Sequence, residues 1–210
     1  MASIAQESVA QDGHEANATT WEDTTSLWRV GKTSGVYYDA GLRFTTIPDI
    51  ASGNTIDSAT LSFVVSAAGG AYGTASFDVH CENEDDGAVF GASARPSQKT
   101  PTTAKTAETI SATGTKNIDV KTAVQEVISR GGWAADNDLN FLLIHSEAAG
   151  SPYDIAYVTD SQNSGVTTLD ITYTAGGGVV VEYDSLNTPT SWSTMTYNAY
   201  SFGVPHIEQI

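Results

Sequence analysis

The chain has 210 residues, nine Lys and Arg against 25 Asp and Glu for a net charge of −16, and a single cysteine. That length makes one domain with extensions, or at most two small ones, and can bury a core without disulfides or a structural metal. Cys81 alone excludes a disulfide framework and a cysteine-based zinc site. Arg130 is the last basic residue, so the segment 131–210 has no cation to offer a phosphate backbone or an anionic membrane.

Residues 1–20 are polar and aperiodic and read as an N-terminal arm or a loosely attached first strand. The segment from Trp21 to Val30 carries enough apolar surface, in Trp21, Leu27, Trp28 and Val30, to join the core. Period-two alternation then marks strands. Leu42 and Phe44 share a face, as do Ala59, Leu61, Phe63 and Val65, and then Phe77, Val79 and Cys81 with Asp78, His80 and Glu82 facing out. Residues 49–54 and 68–73 are polar turns between strands, which points to antiparallel pairing. Residues 83–106, with Pro96 and Pro101, form a long connection of the kind that crosses between sheets. A helix is expected from Val120 to about Arg130, with Asp119 as N-cap and Val120, Val124, Val127 and Ile128 on one face. Gly131-Gly132 stops it, with Arg130 in the last turn.

Leu139–His145, Asp154–Val158 and Thr167–Tyr173 are further strands. Gly176-Gly177-Gly178 reads as a hinge, and Val179–Tyr183 as one more strand. The pattern predicts an all-β, jelly-roll-like antiparallel sandwich over 21–175, with one short helix and terminal arms at 1–20 and 176–210. The longest apolar runs, such as Phe141–Ile144, are far short of a bilayer span, and the start has no Sec-type signal pattern. The expectation is a chain made and folded in a cytoplasm.

Three segments resemble the DNRLRE-type β-sandwich family. They are the run from Gly41 to Ala68, with its Ile56-Asp57-Ser58-Ala59-Thr60-Leu61 stretch, the run from Phe77 to Phe90, and the run from Ile118 to Ser146. In the last, an Asp-Val helix ending in Gly-Trp precedes a strand that carries Leu139-Asn140-Phe141-Leu142-Leu143. The family's N-terminal signature is present in part, at Leu42-Arg43-Phe44. The resemblance implies a jelly roll, and relatives of this type occur in wall- and polysaccharide-associated proteins and as stand-alone phage virion proteins.

No Gly-x-Ser-x-Gly elbow, P-loop, dinucleotide fingerprint or His-Glu-x-x-His is present, so a non-enzyme is expected. His80 and Cys81 are strand neighbours and point to opposite faces, which argues against a metal pair. Glu82, Glu84, Asp85 and Asp86 form an acidic loop whose oxygens suit a structural calcium, the plain alternative being a solvated acidic turn. Beyond that calcium no cofactor is expected. Tyr37, Tyr38, Trp133, Tyr153 and Tyr157 could stack on sugar rings, or pack at the sandwich edge. In the C-terminal arm, Trp192, Met195, Tyr197, Tyr200, Phe202, Val204 and Ile207 are too apolar to prefer water and belong to the types that anchor interfaces. Two readings follow. One is a structural component of a bacteriophage virion, a capsid decoration or appendage protein that forms a homo-oligomer and binds other virion proteins through its arms. The other is a carbohydrate-binding module.

Overall fold

A computed structural model describes residues 2–8, 10–23, 27–33, 35–67, 74–146, 153–159 and 167–176. Residues 1–175 form one compact unit and residues 176–210 a second. The interface residues proposed between Trp192 and Ile207, and the strand proposed at Val179–Tyr183, lie outside the described residues.

The described strands are β1 (Ala2–Ser8), β2 (Gln11–Ala16), β3 (Thr20–Glu22), β4 (Leu27–Thr33), β5 (Val36–Phe44), β6 (Thr55–Ala67), β7 (Ala75–Cys81), β8 (Thr106–Ile110), β9 (Gly114–Asp119), β10 (Leu139–His145), β11 (Tyr153–Thr159) and β12 (Thr168–Thr174). All their pairings are antiparallel. Hydrogen bonds run along the path β1-β12-β6-β11-β4-β5-β10-β7-β8, with β2 joined to β5 and β3, and β9 to β6. The path folds over so that β4 and β11 lie across the core from β7 and β10. The result is a jelly-roll-like sandwich with one short helix, as the alternation implies.

The inward faces behave as the sequence predicts. Ala59, Leu61, Phe63 and Val65 of β6 are buried, and so are Phe77, Val79 and Cys81 of β7. Phe44 meets Phe141 edge-on at 5.7 Å, and Trp28 meets Phe63 at 5.2 Å. Each such side chain contributes about 1.5–3 kcal/mol by leaving water.

Helix α1 spans Lys121–Ile128 and buries Ala123, Val124, Val127 and Ile128. Val120, not Asp119, occupies the N-cap position, but the Asp119 carboxylate still does the capping, accepting the Lys121 N–H at 3.0 Å. Arg130 lies beyond the helix and turns to Asp85, at 2.6 Å, so it does not serve the last turn.

Of the two readings of residues 1–20, an arm or a first strand, the described residues follow the strand reading. β1 pairs with β12, and β2 lies between β5 and β3. The reason they escape alternation is chemical: β2 buries Asp12, His14 and Glu15 rather than apolar side chains.

Candidate functional site

The outer face of β2, β5, β10 and β7 is covered by the connection from Asn83 to Lys105, and polar side chains hold that cover down. Gln11 grips Phe90 by both backbone groups, its Nε2 donating to the carbonyl at 3.1 Å and its Oε1 accepting the N–H at 2.9 Å. The fully buried Glu15 carboxylate accepts the Ser97 N–H at 2.5 Å and the Ser97 hydroxyl at 2.8 Å, with Arg95 Nε at 3.4 Å. Burial raises the Glu15 pKa, and the Ser97 bonds work against that rise. Phe90 stacks on Trp21 at 5.3 Å and lies over Gly41, where a Cβ would stand 2.7 Å from the ring. Only glycine lets the aromatic cover approach the strand this closely.

Glu82, expected to face solvent, is buried beneath the same cover. The strand pairing continues past Cys81, so Glu82 lies beside Asn140 of β10 on one side and Pro101 on the other. Lys99 Nζ donates to both Glu82 oxygens at 2.9 Å and to the Ala88 carbonyl at 3.0 Å. Asn140 Nδ2 donates to Glu82 Oε2 at 2.6 Å and to the same Ala88 carbonyl at 2.8 Å. Asn140 Oδ1 is buried and has no hydrogen-bond partner among the described residues. The Phe90 ring closes one side, 5.0 Å from Lys99 Nζ.

The rest of the acidic loop is dispersed over separate partners. Asp85 binds Arg130, Asp86 accepts the Asp138 N–H at 2.8 Å, and Glu84 is exposed. Asp138 in turn pairs with Arg43, whose Nε donates to the Gly87 carbonyl at 3.1 Å. Among the described residues no group of three or more His, Cys, Asp or Glu is placed to hold a metal ion. The four carboxylates proposed as calcium ligands do not converge, because Glu82, Asp85 and Asp86 are each drawn to a different donor and Glu84 is exposed.

The aromatic candidates also part company. Trp133 is buried, with its indole N–H donating to the Ile50 carbonyl at 2.8 Å, so it is a core residue and not a sugar platform. Tyr37 and Tyr38 are half-buried neighbours on β5. The Tyr37 ring lies 4.3 Å from His145, with Lys32 Nζ 4.7 Å away. Beside it, Asp39 Oδ1 accepts both the His145 backbone N–H and Nδ1, each at 2.7 Å. Tyr38 stands between the His14 ring, at 5.5 Å, and the Arg29 guanidinium, at 5.4 Å. Tyr153 and Tyr157 are placed by backbone pairing to Thr33 and Arg29, and their side chains lie outside the described residues.

His14 is fully buried, with Glu22 Oε2 3.5 Å from Nε2. Burial first, and Arg29 second, lower its pKa to about 4, so it is neutral at pH 7. The Cys81 thiol is buried and burial pushes its pKa up, which removes the thiolate a reactive cysteine needs. His80 Nδ1 is occupied by the Thr102 carbonyl at 2.8 Å.

Lys99, Asn140, Glu15 and Ser97 escape the sequence because nothing local ties them together. Sheet register brings Asn140 to Glu82 across 58 residues, and the fold of the covering connection brings Lys99 to Glu82 across 17 and Ser97 to Glu15 across 82.

No protein-family model matches the chain, and no curated protein matches it. Among solved structures, a CBM35 from Paenibacillus barcinonensis is similar at 15% identity, covering 83% of this chain and 99% of that one, with a TM-score of 0.25.

Proposed function

We propose that this chain is a non-enzymatic structural module that joins a larger assembly through its C-terminal segment. The assembly implied by the family resemblance is a bacteriophage virion, with the sandwich as a capsid decoration or appendage. The observation that carries this reading is the division of the chain after Ala175. It separates a sandwich with its own core from a segment holding Trp192, Met195, Tyr197, Tyr200, Phe202, Val204 and Ile207 without a single Lys or Arg. Such side chains are enriched where protein surfaces meet, because they cover large areas at low entropic cost. The acidic surface suits protein partners away from nucleic acid.

The test is a chain ending at Ala175, compared with the full chain by thermal melting and by co-sedimentation with purified particles. Unchanged melting with lost co-sedimentation supports an attachment segment. Unfolding of the shortened chain assigns the segment to the sandwich's own core and overturns the proposal.

A second reading, a carbohydrate-binding module, is favoured by Tyr37, a half-buried ring bordered by the hydrogen-bonding groups of Asp39 and His145. Tyr37→Ala would then abolish retardation of the chain in polysaccharide-containing native gels.

A further inference from the structure

Lys99, Glu82 and Asn140 have the chemistry and placement for a covalent cross-link. A primary amine, a carboxylate and a carboxamide are confined together, with 5% and 7% of the Lys99 and Glu82 side chains exposed and Asn140 at 1%. The amine and amide nitrogens share two acceptors, Glu82 Oε2 and the Ala88 carbonyl, which holds them side by side. The Gly87 backbone lies against the amide carbon, where a Cβ would stand 2.7 Å from Asn140 Cγ. Phe90 covers the amine. A buried ion pair of this kind contributes little to stability by itself, since desolvation offsets the attraction. The unpartnered Asn140 Oδ1 is a further cost that the fold accepts here.

We propose that Lys99 and Asn140 become joined by an intramolecular isopeptide bond, with Glu82 carrying the protons. Glu82 takes one proton from the Lys99 ammonium, which frees the Nζ lone pair for attack. Nζ bonds to Asn140 Cγ, and the carbonyl electron pair moves onto Oδ1. As the tetrahedral carbon collapses, the C=O re-forms and the Cγ–Nδ2 bond breaks. Glu82 gives its proton to the departing Nδ2, accepts the second Nζ proton, and passes it on, so that ammonium leaves and Glu82 is again a carboxylate. One secondary amide and one ammonium ion are formed from one ammonium and one carboxamide, and no oxidant or cofactor is required. Holding the reactants in contact supplies much of the rate, as an intramolecular reaction needs no encounter. Burial of Asn140 beneath the Gly87 backbone keeps water from competing for the amide carbon.

The test is intact mass spectrometry of the folded full chain, unfolded immediately before measurement. The expected mass is about 17 Da below that of the sequence, the ammonia lost, with a digest containing one branched peptide that joins Lys99 to Asn140. Trypsin then fails to cut after Lys99. A folded chain at its full sequence mass overturns the proposal, and so does an ammonia loss mapped to another residue. Glu82→Gln, confirmed as folded by near-UV circular dichroism, is expected to keep its full mass. If it still loses ammonia, Glu82 is not the proton carrier. Should Glu82→Gln not fold, Lys99→Met is measured instead, with full mass expected and an undiminished ammonia loss overturning the link.

Discussion

Asp39 holds His145 twice through one oxygen, because Oδ1 accepts both the backbone N–H and the ring Nδ1 at 2.7 Å. The contact lies where the β5–β10 pairing has run out, the last ladder pair being Leu143 with Ala40. A side chain thus replaces a strand carbonyl as the acceptor that ends β10. Asp39→Ala should cost about 1–3 kcal/mol by leaving a half-buried N–H without its partner. Asp39→Asn, which keeps an acceptor oxygen, should cost less. Urea denaturation of the two variants checks the order, and equal costs would show that the charge matters more than the acceptor.

Glu15 and Ser97 pin the loop to β2, and the carboxylate is fully buried. Glu15→Ala leaves the Ser97 N–H and hydroxyl unpaired and should destabilise the sandwich by about 2–4 kcal/mol. Ser97→Ala removes one bond and keeps the backbone one, so about 1 kcal/mol is expected. Denaturant midpoints at constant slope distinguish them. Since the folded pKa of Glu15 is raised, its contribution is fully present below the unfolded value of 4.5 and is lost as pH rises through the folded pKa.

His14 acts with the opposite sign. Its pKa falls from 6.5 to about 4 on folding, so between those values the unfolded chain takes up a proton that the folded chain refuses. The stability that neutral His14 supports is present above about pH 6.5 and lost as the pH falls toward 4. Going from about pH 7 to about pH 5, the loss from this group alone is about 2 kcal/mol. His14→Gln should lose that much less over the same interval, and urea titrations at both pH values measure it. Glu15 titrates in both proteins and cancels in the difference.

Gly41 sets the height of the aromatic cover. Gly41→Ala puts a methyl into the Phe90 ring and should cost about 1–3 kcal/mol through overpacking. Gly91→Ala is the control, because a Cβ there meets nothing within 4 Å. It should be nearly neutral in thermal melting, and equal losses at both sites would show that backbone freedom, not the ring, is responsible.

Much of the fold is legible where apolar residues alternate with polar ones. β6, β7 and the buried face of α1 follow their sequence pattern closely because burial there is hydrophobic, whereas β10 is buried on both faces and reads as an apolar run. β2 is illegible because its buried residues, Asp12, His14 and Glu15, are polar and leave no apolar alternation to read. The strands β8 and β9, which pair with β7 and β6, are hidden for a related reason, since Ala107, Thr109 and Thr115 are exposed small residues with no marked apolar alternation. At the site, the acidic loop is visible as charge, but its partners are not. Lys99 reads as one more loop lysine, and Asn140 as a polar interruption in an apolar strand. Trp133 shows the converse, an aromatic whose type suggests a surface platform and whose indole N–H is instead met inside the core.

The loop from Asn83 to Lys105 has little regular structure beyond a 3-10 turn at Pro96–Gln98 and isolated bridges, yet several of its amides are held by side chains of the sandwich. Phe90 and Ser97 donate to Gln11 and Glu15, and Thr103 and Ala104 donate to the Glu126 carboxylate at 2.9 and 2.7 Å. Hydrogen exchange at such positions requires the covering layer to detach from β2 and α1, not merely a local fluctuation. The segment that looks most like a cleavage-prone connection should therefore exchange as slowly as the strands beneath it. Opening would begin elsewhere, and a protease meeting the native fold would find Arg95 and Lys99 among the last basic residues to yield.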